Sequence, residues 1–417
     1  MSVVRRKLGQ GDLDLFVTAH VRFVEGKSGG RRLSLKFVDL TGLDLTGRLL
    51  DDADFTGSSL EGVRMSGARL ERAILFGCDL RGADLSGACL RRADIRGTCL
   101  QGANLSQADL TQADFREGVI AIPHATKGLA EMKHEQRPGL ADGARFAGAT
   151  LDGSRFEGVS AFKADFTDCS MKGARLTGAN LKDADLSGAM LEGAEVGGAN
   201  LAGARLIGAD LSGVVMESAR LDRTDMTGSL RAPSAAAIDR AETLMEMALD
   251  ANAWAESGGE LGAPACFDGE DLRPLGDRLT GLKLPALSAR GACLVGFDLR
   301  KMFLQGANLE NADLRGADLR GADLRGARMS GAILNKANLG GAQLGPLPLG
   351  PTRSMPSVLK GARLRYASLH GTDLTRANLD GADLAGADFT GATVMEATFV
   401  EAHLDHALGL PAQRIAA

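Results

Sequence analysis

The chain has few aromatics, no cysteine pairs at ligand spacing, little net charge and no long apolar run. Phe, Tyr and Trp make up 4% of its 417 residues, with a single Trp and a single Tyr. Basic residues are nowhere clustered with interleaved aromatics, so direct nucleic-acid binding is not expected. The six cysteines include no CxxC pair, which argues against a zinc ribbon or a dithiol redox centre. Free thiols without a disulfide framework favour a reducing compartment. No apolar stretch approaches the roughly 20 residues needed to cross a bilayer, and no apolar h-region follows the basic start Met1 to Lys7. A cytoplasmic protein with no membrane span is expected. GxGxxG, P-loop and nucleophile-elbow patterns are absent. His403 and His406 have no Cys or third imidazole near them in sequence, so no catalytic residue, cofactor or metal is expected.

What fills the chain instead is a period of five. From Leu35 to Phe115 every fifth residue is Leu, Phe, Met or Ile, at seventeen consecutive positions. Neither the 3.6-residue period of a helix nor the 2-residue period of a strand accounts for this, so a small unit is being repeated as in a solenoid. Good copies are Ala83-Asp84-Leu85-Ser86-Gly87 and Ala317-Asp318-Leu319-Arg320-Gly321, giving A(D/N)LxG. In extended backbone the small residue and the central Leu share one face, with Asp or Asn on the other. The polar residue and Gly that follow supply a corner.

The pattern closely resembles the pentapeptide-repeat family, over about two-thirds of the chain. The resemblance implies an all-β solenoid, a right-handed quadrilateral β-helix with four pentads per coil. The expected organisation is an N-terminal cap helix and leader (1–30), a first array (31–115), an inserted loop (116–143), a second array out of frame (144–230), an acidic amphipathic helix and linker (231–276), a third array (277–405) with an in-frame bulge (345–358), and a tail (406–417). The frame shifts leave open whether the arrays form one interrupted rod or two. Leu80, Leu85, Leu105, Leu181, Leu186, Leu201, Leu314, Leu319, Leu379 and Leu384 are expected in the stacked core.

A filled interior leaves function to the exterior. The inserted loop contributes Ile120, Ile122, His124, Lys127, Met132, Lys133 and Arg137 as candidate partner contacts. In helix 234–257, Ser234 is a plausible N-cap. Asp239, Glu242, Glu246 and Asp250 form an acidic stripe there, and Ile238, Ala241, Met245, Ala248 and Leu249 an apolar one that packs on a coil or on a second copy of the chain. Arg300 and Arg320, twenty apart, share a column that Lys360 joins if the bulge leaves the count undisturbed.

The expected function is a non-catalytic protein-interaction or scaffold module, its protein partner unspecified. The alternative comes from the resemblance: some family members mimic DNA and bind type II topoisomerases, protecting gyrase from its inhibitors. Such mimicry needs unbroken negative potential. Residues 141–230 carry 9 basic and 13 acidic residues, while 277–405 carry 15 and 13, so the acidity is not sustained along the chain.

Overall fold

The computed structural model describes residues 5–124 and 128–410, with side chains except at 122–132. The chain divides into two compact units, Met1–Ala232 and Pro233–Ala417, with separate apolar cores.

In the first unit each bridging residue pairs in parallel with the residue twenty further on, as in Asp39–Ser59–Asp79–Cys99, so a coil has four pentad sides. The backbone bonds of one pentad show why the stack holds. Leu85 and Gly87 donate upward to Asn104 and Ser106, Asp84 donates downward to Val63, and Ala88 closes the corner onto Leu85. Nearly every amide of the repeat is therefore satisfied by a neighbouring coil or its own corner. All ten leucines named above are at most 2% exposed, and burying each contributes roughly 1.5–3 kcal/mol. Bulkier centres interlock near the middle: the rings of Phe115 and Phe156 stack at 4.1 Å, and those of Phe146 and Phe166 at 4.8 Å.

Helix α1 (Gln10–Val24) lies against the first coil. Its Leu13 and Val17 are buried with Leu35, Leu40 and Leu45, which have no preceding coil to cover them. Buried His20 accepts the Leu33 amide proton on Nδ1 at 3.0 Å, and the Gln10 amide exchanges two 2.9 Å bonds with the Asp44 backbone. Just before α1, strand β1 (Arg6–Lys7) pairs in parallel with β2 (Val38–Asp39) and extends one ladder by a strand.

The first and second arrays are one continuous stack. Cys99 pairs with Leu140 rather than with residue 119, so 21 extra residues leave the coil and return to the same side. They form the antiparallel hairpin β3 (Gly118–His124) and β4 (Gly128–Arg137). Because 21 is not a multiple of five, the sequence frame shifts while the coil register does not. The ladder resumes at Leu140, and Ala141 is the next buried centre, inside the segment expected as loop.

The second unit begins with α2 (Ala235–Glu256), where the Ser234 hydroxyl accepts from the Ala237 amide. Its buried side is Ala241, Leu244, Ala248 and Ala251, packed with Phe267, Leu272 and Leu275. Ile238 and Leu249, expected on the apolar stripe, are 57% and 50% exposed, because the close approach uses the small residues. Coiling starts at Cys266, paired with Ser288, so part of the expected linker is already repeat. That coil has two extra residues, taken up by a 3₁₀ segment, Arg273–Leu279. Further on, Arg328 pairs with Val358, thirty residues away. The ten extra residues carry a small hairpin, β5 (Leu347–Pro348) and β6 (Ser354–Met355). Ten residues equal two sides, so the frame is kept while the column shifts. Arg320 stacks below Gly340 and His370, and Lys360 follows Ser330; Lys360 is therefore not in the Arg300–Arg320 column.

Candidate interaction surface

The β3–β4 hairpin is the longer of the two hairpin excursions from the coils, and its root is fixed rather than loose. Paired residues share a face, so Gly118/Arg137 and Ile120/Glu135 alternate with Val119/Gln136 and Ala121/His134. The first set turns to the coil. Ile120 is 2% exposed, and its Cδ1 lies over Gly57 and Gly77, two corners of one column. At Gly77, with φ +63°, an added Cβ would sit 2.6 Å from that methyl, so glycine is needed for both backbone conformation and space. Gly118 rests on the Phe76 ring, and Arg137 covers Gly97 while donating to the Gly77 carbonyl at 2.7 Å. Val119, Lys133, His134 and Gln136 face solvent, Val119 at 59% exposure.

This placement corrects two expected partner contacts. Ile120 and Arg137 are anchors, held by packing on the glycine column, and only Lys133 of that loop set is seen exposed. The side chains of Ile122, His124 and Met132, and Lys127 altogether, lie outside the described residues. On α2, Asp239, Glu246 and Asp250 are exposed, whereas Glu242 is engaged by Arg278 at 2.6 and 2.8 Å.

Charge on the coil faces is paired both between coils, as Arg64 with Asp44 and Arg205 with Asp185, and within single pentads, a feature missed in the sequence. Wherever a pentad reads Asp-Leu-Arg, the arginine two residues on folds back onto its own aspartate. Arg300 bonds Asp298, and Arg320 bonds Asp318 with Nε at 2.9 Å. The bond from Arg300 holds Asp298 below the usual carboxylate range, and that from Arg320 does the same for Asp318. The D-x-R spacing was visible in the sequence, but its meaning depends on the side and corner geometry. Arg300 and Arg320 are thus a neutralised column. Vertical ladders also mix signs, as in Arg64–Asp84–Asn104–Arg145–Asp165.

Among the described residues no three His, Cys, Asp or Glu side chains are grouped to hold a metal ion, and no helix is long and apolar enough to cross a membrane.

Eight matches to the family model of pentapeptide repeats fall at 39–77, 88–117, 142–178, 162–196, 197–230, 288–321, 304–341 and 357–394, together more than half of the chain. This chain belongs to the pentapeptide-repeat family. Pentapeptide-repeat proteins fold as right-handed quadrilateral β-helices, consistent with the twenty-residue ladders. The matches skip α1, the β3–β4 hairpin, α2 and the β5–β6 hairpin, so these are additions to the repeat. No curated protein matches the sequence.

Among solved structures, HetL, a pentapeptide repeat protein involved in heterocyst differentiation regulation from the cyanobacterium Nostoc sp. strain PCC 7120, is 21% identical, with 93% of each chain covered and a TM-score of 0.14. QnrB1, a plasmid-mediated fluoroquinolone resistance protein, is 21% identical over 50% of this chain and 93% of its own, with a TM-score of 0.26. Rfr23 from the cyanobacterium Cyanothece 51142 is 24% identical over 30% of this chain and 90% of its own, with a TM-score of 0.20.

Proposed function

We propose that this pentapeptide-repeat protein is a non-catalytic docking scaffold whose main contact element is the β3–β4 hairpin. The observation that carries this reading is the hairpin's two-faced construction. One face is locked to the coil by Ile120, Gly118 and Arg137; the other presents Val119, His134 and Gln136 on a ribbon anchored at its root. Presenting a pre-ordered surface reduces the entropy lost on binding.

A photo-crosslinking residue at position 119 or 134 tests it. A protein adduct forming from either hairpin position and not from coil position 172 is the expected result. Equal capture from both would remove the hairpin's special role. Gyrase protection is weakened as an alternative by the mixed-sign columns, and a supercoiling assay with purified gyrase and a quinolone decides it directly. Self-association through helix 234–257 would use Ile238 and Leu249; an unchanged sedimentation mass for a folded Ile238→Glu, Leu249→Glu variant would exclude it.

A further inference from the structure

The two additions at the start and middle of the first unit meet on one corner of the coil, and a cavity of about 330 Å³ lies where they meet. Arg5, just ahead of β1, donates Nε to the Gly57 carbonyl at 3.0 Å. One coil along the same column Arg137, at the end of β4, donates to the Gly77 carbonyl. Arg81 comes from the coil itself. All three line the cavity with Asp79, Cys78 and Cys99. Asp79 is taken by Arg81, whose Nε lies 2.8 Å from it. Arg5 has no ion pair among the described residues, and the carboxylate nearest Arg137 is Glu135 at 3.9 Å. Within the lining three guanidinium groups face one carboxylate; Arg81 is shared between Asp79 and, outside the lining, Glu61 at 3.1 Å, so the charge not closely held by a carboxylate is that of Arg5 and Arg137, which bond backbone carbonyls.

Each guanidinium carries five donors in a planar fork suited to oxyanions. Successive coils are spaced about 4.8 Å apart, so Arg5 and Arg137 flank a space that one tetrahedral oxyanion can bridge. The volume is in the lower range of small-molecule sites and far exceeds a bare ion. Cys78, Gly97, Pro138 and Leu140 add uncharged wall. We infer that this cavity is a binding site for a small phosphate monoester, its phosphate held by Arg5, Arg81 and Arg137 and its organic part lying along the uncharged wall.

The test is titration of the full chain with phenyl phosphate at fixed ionic strength, followed by calorimetry and by the alkylation rate of Cys99. Cys266, exposed and outside this unit, is the internal control. Saturable binding is expected, with Cys99 protected and Cys266 not. Arg5→Gln and Arg81→Gln should each weaken binding about tenfold or more, as for loss of a charge-assisted contact, with circular dichroism unchanged. Arg92→Gln, outside the lining, should leave it unaltered. Inorganic phosphate and benzoate separate the contributions: each alone should bind more weakly than phenyl phosphate. No saturable binding, binding insensitive to both Arg5→Gln and Arg81→Gln, or benzoate binding as tightly as phenyl phosphate would overturn the inference.

Discussion

At the scale of one residue, position in the pentad decides everything. Leu319 is fully buried between the centres of adjacent coils, and Arg320 beside it has a half-exposed side chain that bonds its own Asp318. Leu319→Ala should destabilise the second unit by about 2–5 kcal/mol, as for large-to-small core changes. Arg320→Ala should have a far smaller effect, because exposed ion pairs contribute little. Urea denaturation midpoints of the two variants check this order. His20 gives a pH effect. Burial lowers its pKa from the ordinary 6.5, so the unfolded chain binds the proton more readily than the folded one. Its contribution to stability is intact above the ordinary value and is lost as pH falls through it toward the lowered native value. Melting temperature should therefore drop between pH 7.5 and 5.5 by more in the wild type than in His20→Leu.

At the scale of elements, the insertions show how a solenoid accepts extra chain. The coil requires only that each excursion return to the side it left, so 21 residues and 10 residues are both tolerated. What differs is what they dock on. The hairpin's attachment depends on Ile120 over Gly57 and Gly77, and Ile120→Glu should release it while leaving the coils intact. Limited proteolysis is expected to cut this variant within 121–134 faster than the wild type, with the far-ultraviolet spectrum little changed. Equal cleavage rates would mean that β-pairing alone holds the ribbon. The sequence showed that residues 116–143 break the period and carry apolar residues. It did not show which of them faced inward, because alternation along a strand is readable only once the partner surface is known.

At the scale of the whole molecule, the chain has two units, each with its own helix, coils and core. In each, a helix covers the first coil: α1 over Leu35 and Leu40, α2 over Phe267 and Leu272. Fragments 1–232 and 233–417 should each fold when expressed alone, since repeat stacks gain their stability from nearest neighbours. Calorimetry of the full chain should resolve transitions that coincide with those of the fragments. A fragment lacking native-like dichroism would show that its unit depends on the other.

The linear chain determined the five-residue unit, the buried Leu and Ala columns and the polar corners, because each follows from which side of a short extended segment a residue occupies. It also marked α1, α2 and both interruptions as departures from the period. Only the tertiary structure decided that the first two arrays are one stack, that Arg320 is neutralised by its own pentad, and that Arg5, Arg81 and Arg137 share a corner. Residues 5 and 137 become neighbours because one piece of chain extends a ladder and another docks on the same glycine column. Backbone pairing between coils and packing against corners set those distances, and neither leaves a mark in local sequence spacing.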